Sequence, residues 1–375
     1  MHGRIITMAL TAWVGMIGVH LAAQSGNPQP QGSEGAARNV SEHERLDALS
    51  RAQVWSAPVV PVSEARMAGE TSQPRFIECR FKITELGGTA PKFDCVLGNG
   101  EQIRVKYGRS PEIPSEVAAA RLLHSLGFGA DNVMLVERLR CHGCPAQPFL
   151  TMKAVDVTGA RPVYEKLVDY TDHKDFEWVA VERKHPGRPI GTDQVKGWAF
   201  FELERIDPRR GGAPRAHVDA LRLMAVFLAH WDNKSENQRL VCLSDDENWQ
   251  EGGTCPRPFA MLQDVGSAFG PPKIDLDAWK KTPIWANRRS CTVSMENLPA
   301  GGATFARVAI TDAGRRLLAS LLGQLTDRQL TELFTGARFD KMKALLPSRP
   351  PAVSEWVRVF KLKVREISDG PPCPQ

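Results

Sequence analysis

The sequence lacks several features by which a chain of this length is commonly classified. It contains no internal repeat, so it is not built from stacked units. No apolar run after Ala23 is long enough to span a membrane. No stripe of interleaved basic and aromatic residues is present and the net charge is only +5, so no nucleic-acid partner is expected. What the chain does have is a 42% content of hydrophobic residues, which is ample for one large domain.

The N-terminal residues have the organisation of an export signal. His2 and Arg4 precede an apolar run from Ile5 to Leu21, and two small alanines end that run. Residues 1–23 are therefore predicted to be a signal peptide, and the competing interpretation is an uncleaved membrane anchor. In both cases the globular part is expected to be exported, to a periplasm or to the outside of the cell. In the second case it stays attached to a membrane.

Residues 24–70 are predicted to be a disordered linker that contains one short helix. The stretch 24–40 is rich in Gln, Gly, Pro and Ser, a composition that does not support a packed core. Ser41 and Glu44 then have the spacing of a capping box, which predicts a helix that runs to about Val54.

Eight cysteines agree with export, because an oxidising compartment favours disulfides over free thiols. Cys242 and Cys255 flank a polar insert, and a bond between them is the first expectation. Cys79 and Cys95 lie on neighbouring predicted strands and form a plausible second pair.

The spacing Cys141-His142-Gly143-Cys144 is a C-x-x-C motif. A zinc site would need a second such pair and haem attachment would need a His after the second cysteine, and the sequence has neither. A local disulfide or a redox pair is therefore favoured over a metal site. Cys291 and Cys373 remain, and the sequence offers no basis for pairing them.

Two short polar segments carry the most information about function. The first contains His230, Asp232, Lys234 and Asn237, and the second contains Asp264 two residues before a Gly. Phosphoryl transfer needs an Asp to orient the attacking hydroxyl and a Lys to neutralise the moving group. It also needs an Asn and a second Asp to hold metal ions against the phosphates. All four residue types are present in that order.

The pattern resembles the protein-kinase catalytic loop, His-Arg-Asp-Leu-Lys-Pro-Glu-Asn, and the kinase metal motif Asp-Phe-Gly. Trp231 stands where the Arg is usual and Val265 where the Phe is usual. The resemblance is therefore to the kinase-like superfamily broadly, including lipid kinases and secreted atypical kinases. The competing structural interpretation is a helix that ends in a polar loop, with Asp264 capping a turn.

The resemblance implies an α+β fold with two lobes. A small β-rich N-lobe would occupy residues 71–206, and a helical C-lobe would occupy residues 207–375. The sequence predicts a hairpin in the N-lobe, with strands Phe93 to Leu97 and Gln102 to Tyr107 on either side of a Gly-Asn-Gly turn. Lys106 lies where the family's phosphate-contacting lysine would be, and its competing interpretation is an exposed strand lysine.

A helix is predicted after the hairpin, with Ser115 as the candidate N-cap. Glu116 lies in its first turn and is the best candidate to pair with Lys106. Glu112 is the alternative partner, but it precedes Pro114 and is therefore expected to lie outside the helix. Without the catalytic-loop match, Glu116 would be interpreted as a carboxylate that favours the helix dipole.

Gly87 and Gly88 form the candidate nucleotide-covering loop, between a strand around Cys79 to Thr84 and the strand that begins near Phe93. Adjacent glycines let backbone N–H groups approach a phosphate closely. The kinase spacing Gly-x-Gly-x-x-Gly is absent and Pro91 removes one donor. A plain β-turn is therefore an equal interpretation.

The rest of the chain is interpreted from its periodicity. Strands are predicted at Phe149 to Val155 and Trp178 to Arg183. The resemblance to kinases implies a hinge that contacts adenine, and this hinge is placed near Glu202 to Ile206. A buried helix from Val218 to His230 is expected to end at the catalytic loop. The predicted C-terminal helices cover Asp312 to Gln324, Thr326 to Thr335 and Ser354 to Glu366.

The resemblance implies an ATP-dependent phosphotransferase. Asp232 would orient the acceptor hydroxyl, and Lys234 would stabilise the transferred phosphoryl group. Asn237 and Asp264 would hold Mg²⁺ or Mn²⁺, and Lys106 would contact the α- and β-phosphates.

The opposing class is a catalytically silent pseudokinase that binds a nucleotide or a partner. It is supported by the degenerate glycine loop, by the missing Arg and by the scarcity of ATP outside the cytoplasm. A hydrolase or nucleotidyl-transferring relative is the third interpretation. The acceptor, whether a protein, a lipid, a sugar or a small molecule, is not specified by these residues.

Overall fold

The computed structural model describes residues 38–67, 75–243, 254–271, 274–298, 301–341 and 350–374. Helices and strands are both abundant in these ranges, so the predicted α+β class is confirmed. The signal-peptide prediction and the linker up to residue 37 lie outside the described residues. The division into lobes at residues 206 and 207 stays a prediction.

Five strands close into a barrel in the first part of the chain. They are β2 (Phe76–Lys82), β3 (Lys92–Leu97), β4 (Gln102–Lys106), β5 (Asn132–His142) and β6 (His173–Arg183). Their order is β2-β3-β4-β6-β5, and a parallel pairing of β2 with β5 closes the barrel. Alternate residues of β2 are buried, as expected for a strand with one face on a core. The predicted hairpin is confirmed as β3–β4, with Gly100 at a φ of 85° in its turn.

Three helices accompany the barrel: α2 (Glu112–Ser125), α3 (Pro148–Thr158) and α4 (Arg161–Leu167). The strand predicted at residues 149–155 is wrong, because this segment is the body of α3. Its buried residues Phe149, Met152 and Val155 are three apart and pack against the barrel core. A short apolar run does not separate helix from strand. Here Pro148 begins the helix, and Gly159, in the left-handed conformation, caps its end.

The start of α2 also differs from its prediction. The helix begins at Glu112 rather than at Ser115, so the expectation that Glu112 lies outside it is wrong. Pro114 falls in the first turn, where a missing N–H breaks no intrahelical hydrogen bond, and the proline is therefore tolerated there.

A second sheet follows the barrel, in the order β1-β7-β8-β9. Its strands are β1 (Arg38–Asn39), β7 (Arg188–Gly191), β8 (Gln238–Cys242) and β9 (Pro258–Leu262). Every residue of β8 and β9 is buried. A separate pair of short strands, β10 (Thr292–Val293) and β11 (Val308–Ala309), lies later in the chain.

Six further helices are present in the ranges that the structure describes. They are α1 (Glu42–Ser50), α5 (Arg215–Leu228), α6 (Leu276–Lys281), α7 (Asp312–Gly323), α8 (Asp327–Gly336) and α9 (Val353–Ser368). The capping boxes predicted at Ser41 and Thr326 are both present. Buried rings from several of these elements pack together, among them Phe227, Trp279 and Trp356. The helix α5 is buried along most of its length and ends directly before residues 230–237, the predicted catalytic-loop segment.

The hinge prediction near Glu202 to Ile206 falls on a 3-10 helix, Phe200–Arg205, rather than on a strand. Glu202 accepts a hydrogen bond from the backbone N–H of Ala199 and pairs with Arg45 of α1. These contacts fix a compact turn, so this segment does not continue the barrel, whose last strand ends at Arg183.

All eight cysteines form disulfides. The predicted bonds Cys242–Cys255 and Cys79–Cys95 are confirmed, and Cys141–Cys144 is the local disulfide that the motif favoured over a metal. The fourth bond, Cys291–Cys373, could not be predicted from the sequence. Four disulfides favour an oxidising, non-cytoplasmic location. In the described ranges, no helix has the length and apolar character needed to cross a bilayer.

Candidate functional site

Lys106, the last residue of β4, is the centre of the site. Its ammonium lies 2.7 Å from Glu116 Oε1 on α2 and 3.1 Å from Asp264 Oδ1, and the residue is almost completely buried. The sequence-predicted pairing of Lys106 with Glu116 is therefore present. The barrel supplies the lysine, α2 supplies one carboxylate, and the segment after β9 supplies the other.

The electrostatics of this group follow from burial and from crowding of charge. Burial opposes the charged form of Lys106, but Asp264, Glu116 and Glu182 outweigh it and raise its pKa well above the ordinary value. Burial raises the pKa of Glu116 and outweighs the attraction of Lys106, and the nearby carboxylates add to the rise. Glu116 Oε2 has no hydrogen-bond partner among the described residues.

Asp264 is the most accessible member of the group, with 39% of its side chain exposed. Burial alone would raise its pKa, but the ammonium groups of Lys106 and Lys92 hold the pKa below its ordinary value. Its backbone N–H and that of Gln263 both donate to the carbonyl of Asn237, at 3.3 and 3.0 Å. These hydrogen bonds attach the Asp264 segment to the catalytic-loop segment.

The catalytic-loop segment begins where α5 ends, with Ala229 in the left-handed conformation as its C-cap. Asp232 carries 25% exposure, and its Oδ1 lies 3.0 Å from the Lys234 ammonium. Asn237 donates from Nδ2 to the backbone carbonyl of Asp232 at 2.6 Å. That bond uses the amide nitrogen and leaves the amide oxygen as the atom that could ligate a cation.

Gly87 and Gly88 are exposed in the segment between β2 and β3. Gly88 has a φ of 68°, and a Cβ built on it would lie 3.1 Å from the Lys92 ammonium. This end of the loop therefore lies directly against a lysine of the site. A Cβ built on Gly87 would have no neighbour within 4 Å, so the surrounding atoms do not require a glycine at this position.

Lys92 is a residue of the site that the sequence reasoning missed. It begins β3, is paired in register with Lys106 across the hairpin, and is 9% exposed. Burial lowers the pKa of Lys92, the Lys106 ammonium lowers it further, and Asp264 opposes the shift. The signal that could have found it is the hairpin register, which places Lys92 opposite Lys106 once the turn at Gly100 is known.

Asn233 and Glu182 were also missed. Asn233 is fully buried, and its side-chain oxygen accepts hydrogen bonds from the backbone of Thr304 and Phe305, at 2.8 and 2.9 Å. It therefore anchors residues 304–305 to the catalytic-loop segment. Glu182 of β6 is buried near Lys106 and pairs with Lys184. Burial would raise its pKa, but Lys184, Lys106 and Arg104 hold it well below the ordinary value.

His230 is completely buried, and burial lowers its pKa, so the imidazole is neutral near pH 7. The negative charges of Asp264 and Asp232 oppose this lowering of the pKa without cancelling it.

Direct contacts thus connect Lys106, Glu116, Asp264, Asn237 and Asp232 in a chain, which reaches Asp232 through its backbone carbonyl. Two partly exposed carboxylates, an amide oxygen and two lysines next to a glycine segment form a set that suits a polyphosphate and a hard divalent cation.

Neither a protein-family model nor a curated protein sequence matches the chain. Among solved structures, the chain is similar to the crystal structure of a Helicobacter pylori proinflammatory kinase, CtkA. The TM-score is 0.39 and the sequence identity 12%, over 78% of this chain and 95% of that chain. A likeness at this TM-score does not establish a shared fold or activity.

Proposed function

We propose that this chain is an exported, ATP-dependent phosphotransferase with a two-lobed, kinase-like arrangement of its barrel and helical parts. It transfers the γ-phosphoryl group of ATP to an acceptor hydroxyl. One observation carries the proposal: Lys106 is bonded at once to Glu116 and Asp264, and Asp264 is itself bonded to the segment that carries Asp232.

The residues present fit a divalent cation. Asp264 offers a carboxylate that is kept ionised by neighbouring lysines, and Asn237 offers an amide oxygen, both of them hard oxygen donors suited to Mg²⁺ or Mn²⁺. A cation bound there would neutralise charge on the phosphates and polarise the γ-phosphoryl group.

The residues of the chain then have separate tasks. Lys106, positioned by Glu116, contacts the α- and β-phosphates, and the glycine segment at Gly88 covers them. Asp232 orients the acceptor hydroxyl and takes up its proton as the oxygen attacks phosphorus and ADP leaves. Lys234, which pairs with Asp232, stabilises the phosphoryl group in transit.

The test separates the two aspartates. In Asp232→Asn, nucleotide and metal binding should persist while phosphoryl transfer falls by roughly 10²-fold or more, because Asp232 acts on the acceptor. In Asp264→Asn, both binding and transfer should fall. Binding is measured by thermal shift with ATP and Mg²⁺ or Mn²⁺. Transfer is measured from γ-labelled ATP to water, to the protein itself and to candidate protein, lipid, sugar and small-molecule acceptors.

Asp277→Asn, at an exposed position on α6, is the matched control and should match wild type in both assays. If the wild-type protein binds nucleotide with metal but transfers no phosphoryl group, the chain is a nucleotide-binding pseudokinase and not an enzyme. Equal loss of nucleotide binding in Asp232→Asn and Asp264→Asn would contradict the division of tasks.

A further inference from the structure

Two disulfides lie side by side inside the barrel. Cys79 on β2 is bonded to Cys95 on β3, and Cys141 at the end of β5 is bonded to Cys144 in the turn that follows. Cys79 and Cys141 are register partners in the parallel β2–β5 pairing. As a result, the Sγ atoms of Cys79, Cys95 and Cys141 all lie within 4.8 Å of one another, and the Cys95 and Cys141 sulfurs are 4.0 Å apart.

The four cysteines differ in their access to solvent. Cys79, Cys95 and Cys141 are buried, whereas Cys144 is partly exposed. The cysteines of the other two disulfides are buried as well. Cys144 is therefore the one cysteine that is not buried, and it belongs to the bond adjacent to a second disulfide.

We propose that these four cysteines form a thiol–disulfide exchange relay, with Cys144 as the site at which an external thiol is attached. A thiolate attacks Cys144 Sγ, forms a mixed disulfide there, and breaks the Cys141–Cys144 bond. Cys141 leaves as a thiolate, which is the nucleophilic form. It then attacks Cys95 Sγ, forms a Cys95–Cys141 bond, and expels Cys79 as a thiolate that takes a proton.

The exchange needs no oxidant or reductant beyond the incoming thiol. Two disulfides and one thiolate are consumed, and two disulfides and one thiolate are produced. The sulfur chemistry is therefore balanced at every step. The outcome is a thiol-modified Cys144 on the surface, a Cys79 thiol in the interior, and a bond that joins β3 to β5 in place of the bond that joins β2 to β3.

The surrounding structure favours transfer over simple local opening. A Cβ at Gly143 would lie 2.7 Å from the Tyr170 ring and 2.8 Å from Val168, and the backbone N–H of Gly143 is bonded to the carbonyl of Asp172 at 2.9 Å. The C-x-x-C turn is therefore held against its neighbours. Cys141 also remains in the β5 ladder, so its sulfur stays near Cys95 after its bond to Cys144 breaks.

The test uses the full protein and glutathione as the probe thiol. After incubation at increasing glutathione concentration, the reaction is quenched with acid, free thiols are alkylated, and the protein is digested without reduction for mass spectrometry. The expected products are a glutathione adduct on Cys144, a peptide linked through Cys95 and Cys141, and alkylated Cys79 in proportion to the adduct. The bonds Cys242–Cys255 and Cys291–Cys373 serve as internal controls and should persist.

An adduct on Cys144 with alkylated Cys141 and an intact Cys79–Cys95 bond would overturn the relay. A variant gives a second measurement without any added thiol. In Cys79→Ser, the unpaired Cys95 should exchange with the neighbouring disulfide, so that a bulky maleimide labels Cys144 and a Cys95–Cys141 peptide is found. Labelling confined to Cys95 in the unfolded protein, with Cys141–Cys144 retained, would contradict the proposal. The relay is independent of the proposed phosphotransferase activity.

Discussion

At the scale of single residues, the site is distinguished by the burial of the Lys106–Glu116 pair. Lys106 and Glu116 are 3% and 0% exposed. Charges at this depth persist only when they are paired, because an isolated buried charge costs several kcal/mol of desolvation. Removing one partner is therefore expected to destabilise the protein more than removing both. Lys92 is different, because it is buried without a partner at ion-pair distance in the described structure and is next to a second ammonium.

Lys92 is predicted to contribute to polyphosphate binding. Lys92→Met should weaken metal-dependent ATP binding by roughly 10-fold to 100-fold, the loss expected for one hydrogen bond to a charged group. In the absence of nucleotide, the unfolding temperature of the variant should equal or slightly exceed that of wild type, because a desolvated ammonium is removed. Titration calorimetry measures the first effect and thermal unfolding the second. Lys166→Met, at an exposed position on α4, is the matched control, and ATP affinity equal to that of the control would refute the assignment.

Lys363 on α9 is a second lysine whose burial opposes its charge, and it lies away from the site. It is 1% exposed, and its ammonium donates to the carbonyl of Thr282 at 2.6 Å. Burial lowers its pKa to about 8, against the attraction of Glu366. A lysine whose folded-state pKa is depressed destabilises the fold below that pKa. The penalty disappears as pH rises from about 8 towards the unfolded value of 10.5.

Lys363→Met should therefore be more stable than wild type at pH 7. The lowered pKa of Lys363 corresponds to a gain of at most about 3 kcal/mol in the unfolding free energy of the variant. Loss of the hydrogen bond to Thr282 reduces this gain. The advantage of the variant should shrink between pH 8 and pH 10.5, because the wild-type lysine is then neutral in the fold. Denaturant unfolding of both proteins at each pH measures the difference. A variant that is less stable at pH 7, or a difference that does not change with pH, would contradict this account.

At the scale of elements, the site depends on contacts between segments far apart in the chain. The helix α2 is tied to the segment after Asp264 by a hydrogen bond from Ser115 Oγ to the carbonyl of Ala268, at 3.2 Å. The 3-10 turn Ser235–Asn237 is supported from the other side by Gly197, whose φ is 80°. A small displacement of either support would move a residue of the site.

Gly197→Ala is predicted to disturb both the fold and the site. A Cβ at this position would lie 2.1 Å from the carbonyl oxygen of Gln238 and 2.3 Å from that of Ser235, both of them rigid backbone atoms. The left-handed φ adds strain for any residue with a Cβ, so we expect a loss of about 2–4 kcal/mol in unfolding free energy. Nucleotide binding should weaken as well, because Asn237 lies in the turn that must move.

Gly323→Ala at the end of α7 is the control for this substitution. A Cβ there meets nothing within 4 Å, so stability should be retained. Denaturant unfolding and thermal shift with ATP are the two measurements. Wild-type stability in Gly197→Ala would show that the neighbouring backbone can yield.

At the scale of the whole molecule, the disulfides act over very different lengths of chain. Cys242–Cys255 spans a sequence separation of 13, whereas Cys291–Cys373 spans 82 and connects the C-terminal end to the residue before β10. A crosslink that closes a longer loop removes more entropy from the unfolded chain. The Cys291–Cys373 bond is therefore expected to stabilise the protein more than the Cys242–Cys255 bond.

The two double Cys→Ala variants should rank in that order. Loss of Cys242–Cys255 is expected to cost about 3 kcal/mol and loss of Cys291–Cys373 about 4.5 kcal/mol, from loop length alone. Denaturant unfolding under non-reducing conditions measures both. A larger cost for the Cys242–Cys255 variant would mean that local packing of these buried sulfurs, rather than loop length, sets their contribution.

The sequence by itself determined the features that depend on near neighbours. The capping boxes at Ser41 and Thr326, the β3–β4 hairpin and the spacing of Asp232, Lys234 and Asn237 are all set within a few residues of chain. The same holds for the Cys79–Cys95 bond, which joins the adjacent strands β2 and β3. Local backbone preferences and short loops are sufficient to specify these features, because few alternative pairings exist at such separations.

Only the tertiary structure decided what depends on distant pairings. The parallel pairing of β2 with β5 closes the barrel and brings Cys141 beside Cys79. The Cys291–Cys373 bond likewise follows from packing that no local pattern encodes. Contacts over such separations are chosen by the burial of the complete core, where many pairings compete and the lowest free energy of the whole molecule selects one.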